Sequence, residues 1–215
     1  MKHASDVKRE IIETGKWIID KQLTWGTSGN ISVQDGEIVY ITASGTNLGA
    51  LEENDISVCT IYGEIVGNSK KPSKEMQMHL KIYQSRNDIC SIIHASPLYT
   101  TFCACCDFPL KTKLFIESMY YDENLKRIPY FHAGSEVLAS AVQDVCQQTH
   151  IILLEHHGVL VYDTSIQECC TAIEVTENVC KMNILAQQSG MPLQEISEEI
   201  VTDFLSGGYF KKRRN

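Results

Sequence analysis

The sequence predicts an α+β layered domain. Strand-like alternation is concentrated early in the chain, helical periodicity recurs along all of it, and neither an internal repeat nor a Pro/Gly-rich linker interrupts it. Regular βαβ winding would instead space strands and helices evenly. With 215 residues, 43% of them apolar and 21% charged, the chain is long and apolar enough to bury a substantial core, and it is read as one domain over 1–215.

Each element has a local reason. Val7, Ile11, Ile18 and Ile19 recur near helical spacing between Ser5 and Leu23, with Ser5 placed as N-cap. From Asn30 the period changes: Ile31 and Val33, the Asp35-Gly36 turn, then Ile38 and Ile41 spell a hairpin. A second hairpin is expected from Ile56 to Val66 around Tyr62-Gly63, then a helix from Ser73 to Ser85 and an apolar strand Ile89–Ile93 that ends at His94. A helix over Thr100–Cys106 precedes a less regular stretch holding Pro109 and Pro129. Beyond it come a helix over Ser135–Gln147, the strand Ile151–Leu154, His156-His157-Gly158, and the strand Val159–Tyr162. The helix Ser165–Gln188 carries the stripe Ile166, Cys170, Ile173, Cys180 and Ile184, and Gly190 with Pro192 stops it. A short helix then runs to Leu205, before the basic tail Lys211-Lys212-Arg213-Arg214.

A formal net charge of -8 disfavours nucleic acid and anionic membrane surfaces as partners. An anionic substrate would need a local site of donors or cations. No stretch approaches the roughly 18 apolar residues of a membrane span, and the N-terminus lacks an apolar signal core. The nine cysteines are odd in number, lack a disulfide-framework spacing and fall mostly in apolar segments, so they are read as reduced and the location as cytoplasmic. Cys103 and Cys106 form a CxxC with no second pair to complete a metal site, and are read as small hydrophobes on a helix.

Two apolar strands each stop at a histidine, His94 and His157, which suggests a shared rim of the sheet. Adjacent strand residues face opposite ways, so only one of His156 and His157 can join His94. Each is either a satisfied polar residue or a metal ligand. Glu75 opens the helix before the His94 strand, where the macrodipole stabilises a carboxylate by roughly 0.3–1 kcal/mol without any substrate. Beside a cation the same group could move a proton on carbon. The loops Gly26-Thr27-Ser28-Gly29-Asn30 and Ser44-Gly45-Thr46-Asn47 combine close-approach glycines with hydroxyl and amide donors, and with Ser73 and Lys74 would suit a phosphate.

In this order, Gly-Thr-Ser-Gly-Asn, Ser-Gly-Thr, Pro-Ser-x-Glu, strand-His and His-His-Gly resemble the class II aldolase and adducin family over roughly residues 5–190. The resemblance implies a three-layer α/β/α domain with a largely antiparallel central sheet, often a homotetramer with sites between subunits. It implies a lyase of carbohydrate metabolism that cleaves a small sugar phosphate through an enediolate, using Zn2+ or another divalent metal. His94, His157 and Glu75 fall on metal-ligand positions, and Glu75 also on the acid/base. Thr27, Asn30, Ser44, Gly45 and Ser73 fall on positions that hold the substrate phosphate, with Lys74 where a second hydroxyl residue usually stands. Ser96 replaces the second imidazole of the usual His-x-His. The proton-donor tyrosine has no clean counterpart: Tyr120 and Tyr121 lie nearby, and His132 or Glu117 are the alternatives. Epimerases and decarboxylases share the scaffold, and a metal-free sugar-phosphate binder of the adducin-like branch is the non-enzymatic alternative.

Overall fold

A computed structural model describes residues 3–211; Lys212, Arg213 and Arg214 of the basic tail lie outside them. Seven strands form one sheet: β1 (Asn30–Asp35), β2 (Ile38–Thr42), β3 (Ile56–Thr60), β4 (Ser91–Ala95), β5 (Lys126–Ile128), β6 (Ile151–Leu154) and β7 (Gly158–Asp163). Their order is β3-β2-β1-β4-β7-β6-β5, antiparallel throughout except for the β5–β6 pair. The helices are α1 (Ala4–Asp20), α2 (Met76–Ser85), α3 (Leu98–Ala104), α4 (Ile116–Tyr121), α5 (Glu136–Val145), α6 (Ile166–Ser189) and α7 (Glu198–Gly207).

Alternation along the strands divides the core in two. Ile31, Val33, Ile93, Ala95, Val159 and Val161 join the core cluster that includes Val7 and Ile11 of α1 and Cys169, Ile173 and Val175 of α6. Ile92, Ile152, Leu154, Leu160 and Tyr162 face the other way and pack with Met78, Leu80 and Ile82 of α2 and Leu138 and Val142 of α5. The result is the expected α+β arrangement of helices on both faces of a largely antiparallel sheet. His94 shares its face with Ile92, so it belongs to the side of the sheet that α2 covers.

The boundaries depart from expectation where local chemistry was misread. Helix α1 starts at Ala4 behind His3, which makes no side-chain cap, so Ser5 is inside the helix rather than its cap. The β1–β2 hairpin forms as expected, with Gly36 at φ 63°. The second hairpin is reduced to β3 and a single bridge between Cys59 and Ile65. Helix α2 begins at Met76, and Glu75 is its N-cap rather than a first-turn residue. The stretch read as irregular contains α4 and β5, both too short for their periodicity to register. All nine cysteines are free thiols; Cys170 and Cys180 are buried as the stripe required, and of the CxxC pair Cys103 is buried and Cys106 half-buried. Among the described residues no helix is long and apolar enough to cross a membrane.

Candidate metal centre

One cavity is lined by every residue singled out above as ligand or phosphate holder: Thr27, Asn30, Ser44, Gly45, Ser73, Lys74, Glu75, His94 and His157. Two routes of the backbone, one on each side of β4, lead there. Gly29, at φ 86°, carries the chain past the end of β4 so closely that a Cβ would stand 2.7 Å from the His94 carbonyl oxygen. The antiparallel register then sets Asn30 directly opposite His94. On the other side of β4, the turn between β6 and β7 presents His157 between His156, in a left-handed conformation at φ 55°, and Gly158 at φ 149°.

Gly158 sits so tightly that a Cβ would meet the Ala95 carbonyl oxygen at 2.4 Å and Ser96 Oγ at 3.1 Å. Gly158→Ala is therefore expected to destabilise the fold by about 2 kcal/mol, roughly 4–8 °C in Tm for a chain of this length. Thermal unfolding followed by circular dichroism checks this, and an unchanged Tm would show that the turn relaxes freely.

Glu75, His94 and His157 turn toward one another, with one possible ligand atom from each lying within 4.8 Å of the others. Glu75 Oε2 is 3.4 Å from His94 Nε2, and Oε1 is 3.2 Å from His157 Nε2. His94 Nδ1 donates to the Val159 carbonyl at 3.0 Å, so its proton is on that side and the Nε2 lone pair faces the carboxylate. Burial opposes ionisation of Glu75, but the two imidazoles and the Asn30 amide outweigh it and hold the carboxyl well below its ordinary value. Burial pushes the His94 pKa down, favouring the neutral form that coordinates. Glu75 Oε1 is buried without a hydrogen-bond partner. A buried anionic oxygen left so, in a carboxylate whose two oxygens each face an imidazole nitrogen, fits a divalent cation: two nitrogens and a carboxylate are a donor set for zinc and its neighbours.

The rim is different in kind. Thr27, Ser44, Gly45 and Lys74 are exposed, whereas Asn30, Ser73, Glu75 and His94 below them are buried. Hydroxyls, backbone N–H groups and one ammonium thus surround the mouth of a site whose floor is the Glu-His-His cluster. Asn30 sits in the floor, its Nδ2 donating to Glu75 Oε2 at 2.9 Å.

Ser96 is not directed at the three ligands. Its hydroxyl is 2.9 Å from Ser28 Oγ and donates to the His157 carbonyl at 3.3 Å, tying the Gly26–Asn30 loop to the turn that carries His157.

Residues 9–184 match the family model described as the class II aldolase and adducin N-terminal domain. The chain belongs to this family. Among class II aldolase relatives, an L-fuculose phosphate aldolase of Methanococcus maripaludis is 32% identical over 176 residues, 82% of this chain and 95% of its own length. A 3-oxo-tetronate 4-phosphate decarboxylase of Haemophilus influenzae is 28% identical over 94% of this chain and 97% of its own length. A solved structure of an L-fuculose 1-phosphate aldolase superposes with a TM-score of 0.87 at 32% identity, covering 96% of this chain and 97% of that one.

Several further candidates lie away from the class II aldolase cavity. His156 is exposed and its ring packs edge-on against Tyr130, 6.4 Å between centroids, so only His157 of the pair joins the ligands. His132 is exposed and paired with the Tyr130 hydroxyl at 3.1 Å. Glu117 is in the first turn of α4, on the face opposite α2. Tyr120 and Tyr121 are buried against Phe210, and the Tyr121 hydroxyl is held by Glu168 and Lys211. Lys211 itself reaches both Glu168 oxygens, at 2.8 and 2.9 Å, so the described start of the tail is bound to its own chain. Ser28, Thr46 and Ala133 also line the cavity. The first two stood in loops already singled out, and Ala133 had no chemical signal.

Proposed function

We propose that this protein is a divalent-metal-dependent aldolase that cleaves a small ketose phosphate to dihydroxyacetone phosphate and an aldehyde. The observation that carries the reading is the joining of Glu75, His94 and His157 in the cavity whose rim is formed by Thr27, Ser44, Gly45 and Lys74. The names of the fuculose phosphate aldolase relatives support the reaction class. His94, His157 and Glu75 hold the metal, with zinc as the preferred ion. When bound, that cation polarises the substrate carbonyl and offsets the charge that develops as the carbon–carbon bond breaks.

The chain's own groups do the rest. Thr27, Ser44, Gly45, Ser73 and Lys74 bind the phosphate through hydroxyls, backbone N–H groups and an ammonium, and so fix the carbon chain over the floor. Asn30, placed with these residues in the sequence reading, is assigned to both tasks, since its amide already orients Glu75. In the cleavage direction Glu75, kept anionic by its surroundings, takes the proton of the hydroxyl whose carbon becomes the aldehyde and returns it to the carbanion left by the broken carbon–carbon bond. Residues 1–215 act as one domain, working in the cytoplasm as a homotetramer.

Metal content of protein purified without chelator, together with release of dihydroxyacetone phosphate from L-fuculose 1-phosphate and related ketose 1-phosphates, tests the reading. Near one equivalent of metal with metal-dependent cleavage supports it. Metal without cleavage of any ketose phosphate, but with carbon dioxide release from a 3-oxo acid phosphate, would replace it with the decarboxylase reading, which the relative matched over nearly its full length favours. Ser44→Ala, at the exposed rim, is expected to raise KM about 10-fold, one hydrogen bond to a charged group, with kcat and metal content unchanged. A fall in kcat with constant KM would remove Ser44 from phosphate binding.

A further inference from the structure

Behind Glu75, the face of the sheet covered by α2 carries polar side chains that the reaction above does not use. His79 follows Glu75 by four residues, so the two stand one helical turn apart on one side of α2. Asn30 and Ser32 are two residues apart in β1 and share a face. The two elements meet as a ladder of two rungs. In one, Asn30 Nδ2 donates to Glu75 Oε2 at 2.9 Å. In the other, His79 Nδ1 and Ser32 Oγ are 2.7 Å apart, and Ser32 Oγ is 2.8 Å from the Tyr83 hydroxyl. His79, Ser32 and Tyr83 are all completely buried.

Besides Glu75 Oε1, which faces the proposed metal, two atoms of this ladder have no hydrogen-bond partner, Asn30 Oδ1 and His79 Nε2. A buried polar atom left unpaired costs about 1–3 kcal/mol, so two on neighbouring rungs are a substantial cost. Their chemistry settles how they can be reconciled. Asn30 Oδ1 can only accept, because its amide nitrogen is the group that faces the Glu75 carboxylate. An imidazole with its proton on Nδ1 would present a second acceptor at Nε2 and satisfy neither atom. An imidazole with its proton on Nε2 presents the missing donor, and its bare Nδ1 then accepts from Ser32.

We propose that His79 is a positioning residue for Glu75, protonated on Nε2 and completing a one-directional relay: Tyr83 donates to Ser32, Ser32 to His79, His79 to Asn30, and Asn30 to Glu75. His79 Nε2 and Asn30 Oδ1 make no direct hydrogen bond, so the link between them closes across one bound water. Every donor in the relay points toward the carboxylate, so the chain polarises in the direction that favours the anion and fixes the Asn30 amide against rotation. The effect on the metal rests on the Glu-His-His reading; the tautomer does not. Burial pushes His79 down to about 3, which agrees with a neutral ring in the relay.

Two measurements test this on the intact protein. Long-range proton–nitrogen correlation of the histidine-labelled protein without added metal reads the tautomer directly, with the His79 signal assigned by its loss in His79→Gln. The Nε2–H form is expected, and the Nδ1–H form would overturn the relay. Cobalt(II) titration is then compared among the wild type, His79→Leu, His79→Gln and Ser32→Ala. Loss of an outer hydrogen-bond partner weakens metal binding roughly 10–100-fold, and His79→Leu is expected in that range. His79→Gln keeps an N–H donor and is expected to recover most of the affinity. Ser32→Ala leaves the ring free to change tautomer and is expected to weaken binding and shift the visible absorption of the bound cobalt; it keeps the test open if His79→Leu does not fold. Equal affinity and unchanged spectra in all four proteins would overturn the relay while leaving the metal centre intact. A wild type that shows the expected tautomer but binds no cobalt would sink the metal reading and leave the relay.

Discussion

His94→Ala is expected to release the metal, with content falling from near one equivalent to background and affinity dropping by more than the roughly 100-fold that loss of an outer partner alone can cost. Among the described residues His94 supplies one of three converging donors, and its geometry is fixed twice, by the β4 register and by the Nδ1 bond to Val159. Ser96 does not stand in for it, being engaged with Ser28 and the His157 carbonyl. His157→Ala is expected to behave alike, since its imidazole faces Glu75 Oε1 across 3.2 Å. Elemental analysis after gel filtration makes the measurement, and full metal content in either variant would defeat the assignment of that residue as ligand. The fold should survive, because removing an imidazole relieves burial as well as contacts.

Glu75→Gln is the second large effect. The amide is nearly isosteric, so the hydrogen bond from Asn30 and the packing under the cavity persist while the charge and the proton-transfer function go. General acid–base catalysis by a placed side chain contributes about 10²–10⁴, and kcat is expected to fall at least that far, with further loss as metal binding weakens. Steady-state kinetics at saturating metal separate the two losses. A variant that keeps wild-type kcat once metal is supplied would place the proton transfer on another residue.

All three residues could be singled out in the sequence because each lies at the end of a strongly patterned segment. His94 and His157 follow apolar strands, and Glu75 stands where a strand-rich region gives way to a helix. The loops Gly26–Asn30 and Ser44–Asn47, each an ordinary turn taken alone, stood out only as a set of glycines with hydroxyl and amide donors, and the structure brings both to one cavity. The relay residues did not stand out. His79 and Tyr83 sit at i+4 and i+8 from Glu75, which periodicity assigns to the buried stripe of α2, and nothing in a sequence tells a buried polar partner from a core residue of similar size. The start of α2 was misplaced for a related reason: Ser73 resembles a cap, and its hydroxyl does accept the Glu75 N–H, but the helical backbone begins beyond Glu75 itself. The elements α4 and β5 span six and three residues, less than two turns or two alternations, and leave no period to detect.

The pairing of Asn30 with His94 across β1 and β4 makes the sheet a ruler for the chemistry. A slip of one residue in β4 would bring Ile93 under the cavity and bury His94 in the opposite half of the core, while leaving the strands paired and the molecule dense. Such a chain would pass most tests of compactness and secondary structure and still be unable to hold a metal. Recovery of metal uptake after refolding is therefore a sharper gauge of correct strand alignment than circular dichroism, and a fraction of refolded protein that is soluble but metal-free would count the misaligned molecules.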